Sequence, residues 1–318
     1  MIRILVAFWA LIVPLAWACG GSQKAAVSPT VIAESSPTAR PACGQARPHA
    51  AGSLDQTISS GGLTRTYILH VPPGYDGVAA MPLVVSFHGY SLSAKFFAPY
   101  TNFDAIADSA GFLVVTPDGT GSPQFWNAGA YASAPDDVAF VRDLLTKLEG
   151  DLCVDTARVY AAGYSNGGGM ALRVGCTLPD QIAAVGVVAA TYVNCRAEVP
   201  LIAFHGNADP MVPYEGADNP PEKGGIFPSV RRSVSEWALT LGCDGLPVIS
   251  RPSSEVEVST YQRCASGADD VLLYTILGGG HTWPGSAPLP AEIVGMTTQQ
   301  VSASKLMWDF FAAHPKNP

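Results

Sequence analysis

Residues 159–176 read VYAAGYSNGGGMALRVGC. An apolar, strand-like run ends at Gly163-Tyr164-Ser165-Asn166-Gly167, and a helix-like run starts there at once. Two glycines beside the serine point to a turn in which side chains at those positions would collide with the neighbouring strand and helix. A strand that passes directly into a helix is half of a crossover unit, so the chain around it belongs in a mostly parallel sheet with helices on both faces. With 32 glycines in 318 residues the five-residue pattern alone says little. The strand before it and the helix after it give it meaning.

The rest of the chain repeats that alternation. Thr66–Val71, Pro82–His88, Phe112–Thr116, Arg158–Tyr164, Ile182–Ala190, Leu201–His205 and Val271–Leu277 are short, apolar and rich in β-branched residues, as buried strands are. Between or after them, Thr101–Ala110, Pro135–Gly150, Ser165–Cys176, Val230–Leu241 and Gln299–Ala312 carry helical spacing. The expected fold class is α/β.

The ends and the charge set limits. Residues 1–19 hold one Arg, an apolar stretch from Ile4 to Ala18 and then Cys19, the pattern of an export signal and too short for the ~20 residues of a membrane span. Cys19-Gly20-Gly21-Ser22 resembles a bacterial lipoprotein processing site, although Trp17 is bulky where small residues are usual. Cleavage and lipid anchoring through Cys19 both stay open, and the expected location is outside the cell, secreted or lipid-anchored on the membrane. Residues 20–42 have linker composition, and 43–318 form one catalytic-sized domain. A net charge of −8 without a basic run argues against nucleic acid as a partner. Besides Cys19 there are six cysteines, an even set that suggests disulfides in an exported chain. Cys243–Cys264 is the expected pair among the many pairings possible. No metal-ligand spacing and no phosphate-binding loop is present, so no metal or other cofactor is expected.

A serine hydroxyl needs a base, and the base needs an acid to orient it. At a strand–Ser–helix turn the chain order of the three is Ser, Asp or Glu, His. Of six histidines, His281 and His314 follow Ser165 with room for a well-placed acid between them. His314 sits at the chain's end, where anchoring is poor, whereas His281 follows a strand through three glycines. Asp209, just after the strand Leu201–His205, is the candidate acid, because ligand sites in such sheets gather at the carboxyl ends of strands. The oxyanion of the reaction needs donors. The candidates are the backbone N–H groups of Asn166 and of Tyr90, in the turn after Phe87-His88-Gly89. His88 is expected to brace that turn. Trp126 and Trp283 are candidate aromatic walls for the substrate.

Several blocks together are familiar: Phe87-His-Gly-Tyr, Phe125-Trp-Asn-Ala-Gly, Asp136-Asp-Val-Ala-Phe, Cys153-Val-Asp, Gly163-Tyr-Ser-Asn-Gly-Gly, His205-Gly-Asn-Ala-Asp-Pro-Met-Val-Pro-Tyr and Gly278-Gly-Gly-His-Thr-Trp-Pro-Gly. Over about residues 43–314 the chain resembles the polyhydroxybutyrate depolymerase-like esterases, a group that takes in feruloyl and acetylxylan esterases. The resemblance implies an α/β-hydrolase fold, a central sheet with helices on both faces, and a Ser-His-Asp triad at Ser165, His281 and Asp209. Members often carry Cys-Cys after Trp-Asn-Ala-Gly; here the stretch is Ala130-Tyr131-Ala132, so a disulfide made there is not expected. Depolymerases of solid polyester commonly add a polymer-binding domain, and after His281 only a closing helix and a short tail are expected. The expected activity is therefore a serine carboxylic-ester hydrolase acting on feruloyl, acetyl or other small or oligomeric esters, including polysaccharide-linked ones. A polyester depolymerase is the alternative, and a surface binding protein of the same fold without chemistry is the rival from another class.

Overall fold

The structure, a computed structural model, describes residues 42–129, 134–191, 198–218, 226–267 and 270–316. The expectations for the leader, Cys19, most of the linker, Cys195 and Ala130–Ala132 lie outside the described residues.

A ten-stranded sheet organises the domain. Its strands are β1 (Gly52–Ser60), β2 (Leu63–Val71), β3 (Met81–Phe87), β4 (Leu113–Pro117), β5 (Val154–Tyr164), β6 (Ala184–Val188), β7 (Leu201–Gly206), β10 (Val248–Ser250), β11 (Val256–Tyr261) and β12 (Val271–Ile276), in the spatial order β1-β2-β4-β3-β5-β6-β7-β12-β11-β10. The six strands from β4 to β12 in that order run parallel, while β1, β2, β11 and β10 pair antiparallel at the two edges. A small ribbon, β8 (Ala217–Asp218) with β9 (Ile226–Phe227), stands apart from it.

The helices are α1 (Ala94–Thr101), α2 (Phe103–Ala110), α3 (Asp137–Asp151), α4 (Asn166–Thr177), α5 (Val230–Thr240), α6 (Ala291–Val294) and α7 (Ala303–Ala313). Strand alternation sorts the core into two layers. Val159 and Ala161 of β5 join the cluster with Leu144 of α3, Met170 of α4 and Trp237 of α5. Tyr160, Ala162 and Tyr164 join the cluster with Phe97 of α1, Phe103 of α2, and Met307 and Phe311 of α7. Both faces of the parallel strands are thus covered, which is why these strands read as continuous apolar runs.

Two departures from the sequence reading have clear causes. The helix expected at Thr101–Ala110 is α2, which starts at Phe103 because Asn102 sits in the left-handed region at φ 58°, and α1, on the other side of Asn102, was not expected. The edge strands β1, β10 and β11 carried no apolar run to find. Every residue of β10 is exposed, and most of β1 is exposed or half-buried. β1 and β2 are joined by Gly61-Gly62, both at positive φ, the two-residue hairpin that glycine pairs favour.

Candidate active site

The turn after β5 is as tight as its sequence demands. Ser165 sits at φ 54° and ψ −122°, where L residues are rare. A Cβ on Gly163 would lie 2.2 Å from the Gly167 carbonyl oxygen, and one on Gly167 would lie 2.2 Å from the His88 carbonyl oxygen. No side chain fits at either position. The Ser165 N–H donates to the Val188 carbonyl at 2.9 Å, which pins the turn to β6. Asn166 opens α4, so its N–H has no partner one helical turn back.

β7 and β12 lie side by side, and the loops leaving their carboxyl ends are tied together. Asn207 N–H donates to Ile276 O at 3.0 Å, Ala208 N–H to Gly279 O at 2.9 Å, and Gly278 N–H to Asn207 Oδ1 at 2.6 Å. The first loop carries Asp209 and the second carries His281. Asp209 Oδ2 accepts from His281 Nδ1–H at 2.7 Å, and Ser165 Oγ–H donates to His281 Nε2 at 2.9 Å. A carboxylate facing Nδ1 holds the ring proton there and leaves Nε2 as the acceptor. Ser165, His281 and Asp209, separated by up to 116 residues in the chain, therefore form one hydrogen-bonded line.

Asp209 is held from every side. Its Oδ1 accepts from the N–H groups of Met211 and Val212 at 2.8 and 2.9 Å, and His205 Nε2 lies 3.4 Å from Oδ2. Burial alone would raise this carboxyl. Hydrogen bonds from His205 and His281, the charge of His281 and the Val212 N–H outweigh burial and hold it well below the usual carboxylate range. His205 Nε2–H also donates to Val212 O at 2.9 Å, closing the same turn.

His281 is anchored through its backbone. Its N–H donates to Val294 O at 2.5 Å, and Tyr164 Oη–H donates to its carbonyl at 2.6 Å. Tyr164 is buried, chiefly for that reason its phenol is pushed up, and it remains a donor. Tyr164, His205 and the Asn166 side chain are contributors that the sequence argument did not name. The Asn166 amide clasps Trp126, accepting from its N–H at 2.7 Å and donating to its carbonyl at 3.0 Å. The His-x-x-x-Asp spacing offered a signal for His205; nothing in the sequence distinguished Tyr164.

His88 bridges two turns. Its Nδ1–H donates to Gly89 O at 2.8 Å and its Nε2 accepts from Gly119 N–H at 2.9 Å. Burial lowers its pKa, consistent with a neutral ring in that bridge. Tyr90 lies in the turn after β3 with its side chain 57% exposed, and Met211 beside Asp209 is 47% exposed. These are the apolar side chains open to solvent in the loops after β3 and β7, on the two sides of β5.

Trp126 and Trp283, expected as substrate walls, are both buried. Trp126 Nε1–H donates to His88 O at 3.0 Å, with its ring against Phe87 and Phe140. Trp283 Nε1–H donates to Ser304 Oγ at 2.9 Å, with its ring against Phe97 and Phe103. A large ring stabilises most when fully buried with its N–H satisfied, and both indoles brace the loops from beneath. Under Trp126, Arg65 pairs with Asp137 at 2.8 Å, and Asp137 Oδ2 accepts the Asn127 N–H at 2.7 Å. Among the described residues, no group of three or more His, Cys, Asp or Glu side chains could hold a metal ion.

A parallel sheet with a strained Ser turn after β5, and with Asp and His loops after two adjacent later strands, has the architecture of an α/β-hydrolase. An acetyl xylan esterase from Aspergillus awamori has a similar fold, with a TM-score of 0.56 at 16% identity, over 76% of this chain and 97% of that one. Residues 65–214 match the family described as esterase PHB depolymerase. The putative esterase NocK of Nocardia uniformis subsp. tsuyamanensis is 32% identical over 92% of this chain and 93% of its own length. Feruloyl esterase B of Piromyces equi is 34% identical over 68% of this chain, which spans 42% of that protein's length. The chain belongs to the PHB depolymerase family of esterases.

Proposed function

We propose that the chain is an exported serine carboxylic-ester hydrolase working through an acyl-enzyme on small or oligomeric esters of the feruloyl or acetyl kind. One observation carries the reading: Ser165 Oγ, His281 Nε2, His281 Nδ1 and Asp209 Oδ2 stand in line at 2.9 and 2.7 Å. In the proposed reaction Ser165 Oγ attacks the ester carbonyl carbon while its proton passes to His281 Nε2. The tetrahedral oxyanion is stabilised by the N–H groups of Tyr90 and Asn166. Collapse breaks the bond to the alcohol oxygen, which takes the proton from His281. Water, deprotonated by His281, then releases the acid and restores Ser165. Asp209 keeps the ring oriented and stabilises its cationic form.

Export is supported by the disulfides Cys43–Cys153 and Cys243–Cys264 and by Cys176, which is also disulfide-bonded. Among the described residues no helix is long and apolar enough to cross a membrane. Lipid attachment at Cys19 remains part of the proposal and is testable by mass spectrometry of the mature N-terminus.

The reading is tested with Ser165→Ala. Hydrolysis of p-nitrophenyl acetate and covalent labelling by a fluorophosphonate are both expected to vanish, with the circular dichroism spectrum unchanged. Turnover persisting at the wild-type rate would remove Ser165 from the chemistry. A panel of methyl ferulate, acetylated xylan oligomers and hydroxybutyrate oligomers separates the feruloyl or acetyl reading from polyester cleavage.

A further inference from the structure

Two histidines face one carboxylate oxygen. Asp209 Oδ2 accepts the His281 Nδ1–H at 2.7 Å, and His205 Nε2 stands 3.4 Å from the same oxygen. His205 is the last residue but one of β7, on the face where Leu201 and Ala203 of that strand enter the core. An imidazole among apolar neighbours at 2% exposure needs a reason.

The surroundings admit one form of the ring. Nε2 also lies 2.9 Å from the Val212 carbonyl oxygen, and a carbonyl and an ionised carboxylate can only accept. The ring proton therefore sits on Nε2. Nδ1 is buried with no hydrogen-bond partner among the described residues, so a proton there would be buried without an acceptor. Tyr214 fixes the plane of the ring. It packs edge-on against His205 at 5.9 Å, and its hydroxyl is tied at 2.6 Å to Thr275 Oγ1, on the β12 residue paired with His205.

The Asp209 turn closes on that N–H. Val212 donates its own N–H to Asp209 Oδ1 at 2.9 Å and accepts the His205 N–H on its carbonyl at 2.9 Å, so one residue is gripped at both backbone groups. Burial works against the charge on Asp209, and the His205 N–H is foremost among the groups that offset it. A donor beside a carboxylate oxygen stabilises the anion and weakens its pull on the proton of a neighbouring imidazolium.

We propose that His205 is a positioning residue for the hydrolysis: a ring fixed with its proton on Nε2, which holds the Asp209 turn and tempers the pull of Oδ2 on His281. The proposal rests on the reading of Ser165, His281 and Asp209 as the catalytic line, and His205 acts through Asp209. Among the described residues, Tyr164 faces His281 at 5.0 Å, and Arg231 and Glu257 lie beyond Tyr214 on the side of His205.

The test is the pH profile of kcat and kcat/KM on p-nitrophenyl acetate for the full chain, His205→Leu and His205→Gln. Leucine carries no donor, whereas the glutamine amide offers an N–H at similar reach. In His205→Leu, kcat on the plateau is expected to fall about tenfold with KM within about twofold of wild type, because the Asp209 turn loosens. The acid limb of kcat/KM is expected to move up by about half a pH unit or more, because an unshared Oδ2 holds the imidazolium proton harder. His205→Gln is expected to recover most of both effects. A role in folding alone would lower the melting temperature and leave the limb in place. An unmoved limb in His205→Leu, or no recovery with glutamine, overturns the proposal.

Nitrogen NMR of the wild-type histidines reads the ring without any variant at position 205. A proton on His205 Nε2 at pH 7 supports the proposal, and a proton on Nδ1 overturns it. Following His281 by the same method in Ser165→Ala, with and without His205→Leu, reads the coupling without turnover. An unchanged His281 midpoint overturns the proposal. A raised midpoint in a protein that hydrolyses no ester would sink the esterase reading and leave the coupling between the two rings standing.

Discussion

Tyr164 Oη ties the residue before Ser165 to the backbone of His281, so one phenol sets the distance between two parts of the proposed triad. Tyr164→Phe removes that hydrogen bond and leaves a buried carbonyl unpaired, at a cost of about 1–3 kcal/mol. The expected result is a five- to tenfold lower kcat with little change in KM, read by steady-state kinetics. An unchanged kcat with a lower melting temperature would reduce the contact to a structural one. Asp209 gives a second test. Its folded pKa is depressed below the ordinary 3.8, so its ionised form adds stability that is complete above that value and is lost as pH falls through the depressed folded value. Asp209→Asn is expected to be less stable at neutral pH and to lose less further stability than wild type between about pH 5 and pH 2, measured by urea denaturation. That His281 and Asp209 stand in a hydrogen-bonded line with Ser165 was legible from chain order, because hydrolase topology allows few partners after the serine. Trp126 and Trp283 were misread because an aromatic next to a functional loop looks the same in sequence whether it faces the substrate or braces the loop. Only packing separates those cases.

Among the elements, the strand–turn–helix of β5 and α4 was plain in the sequence because its demands are steric. Gly167→Ala sets a Cβ against two backbone carbonyls, and backbone cannot move aside as a side-chain end can. A loss of more than about 4 kcal/mol is expected, in the range of severe single substitutions. Gly169→Ala, two residues on in the same helix, meets only the Ala128 Cβ at 3.3 Å and is expected to stay within about 1 kcal/mol of wild type. Equal midpoints for the two variants in denaturant would refute the steric account. Elements with one wet face were harder to read. β10 is exposed throughout, and α1 contains Pro99 and ends at a left-handed Asn102, so neither apolar run nor helical propensity marked them.

At the scale of the molecule, strand–helix alternation pointed to an α/β domain and the N-terminal stretch to export, and Cys243–Cys264 is the pair that was expected. Cys43–Cys153 was not foreseeable, since its partners stand 110 residues apart and meet only because the chain before β1 runs past the entry to β5. Long separations of that kind are what the fold decides and local sequence does not. The backbone at Ser165 has a wider consequence. An L residue at φ 54° and ψ −122° is held at about 1–3 kcal/mol above relaxed geometry, a burden glycine does not share. Ser165→Gly is therefore expected to melt at a higher temperature than wild type by calorimetry, and to turn over no ester. Any search for hardier variants that scores survival of heating alone will drift toward glycine here and select a sturdy but inert protein, so a turnover assay has to accompany every heat screen.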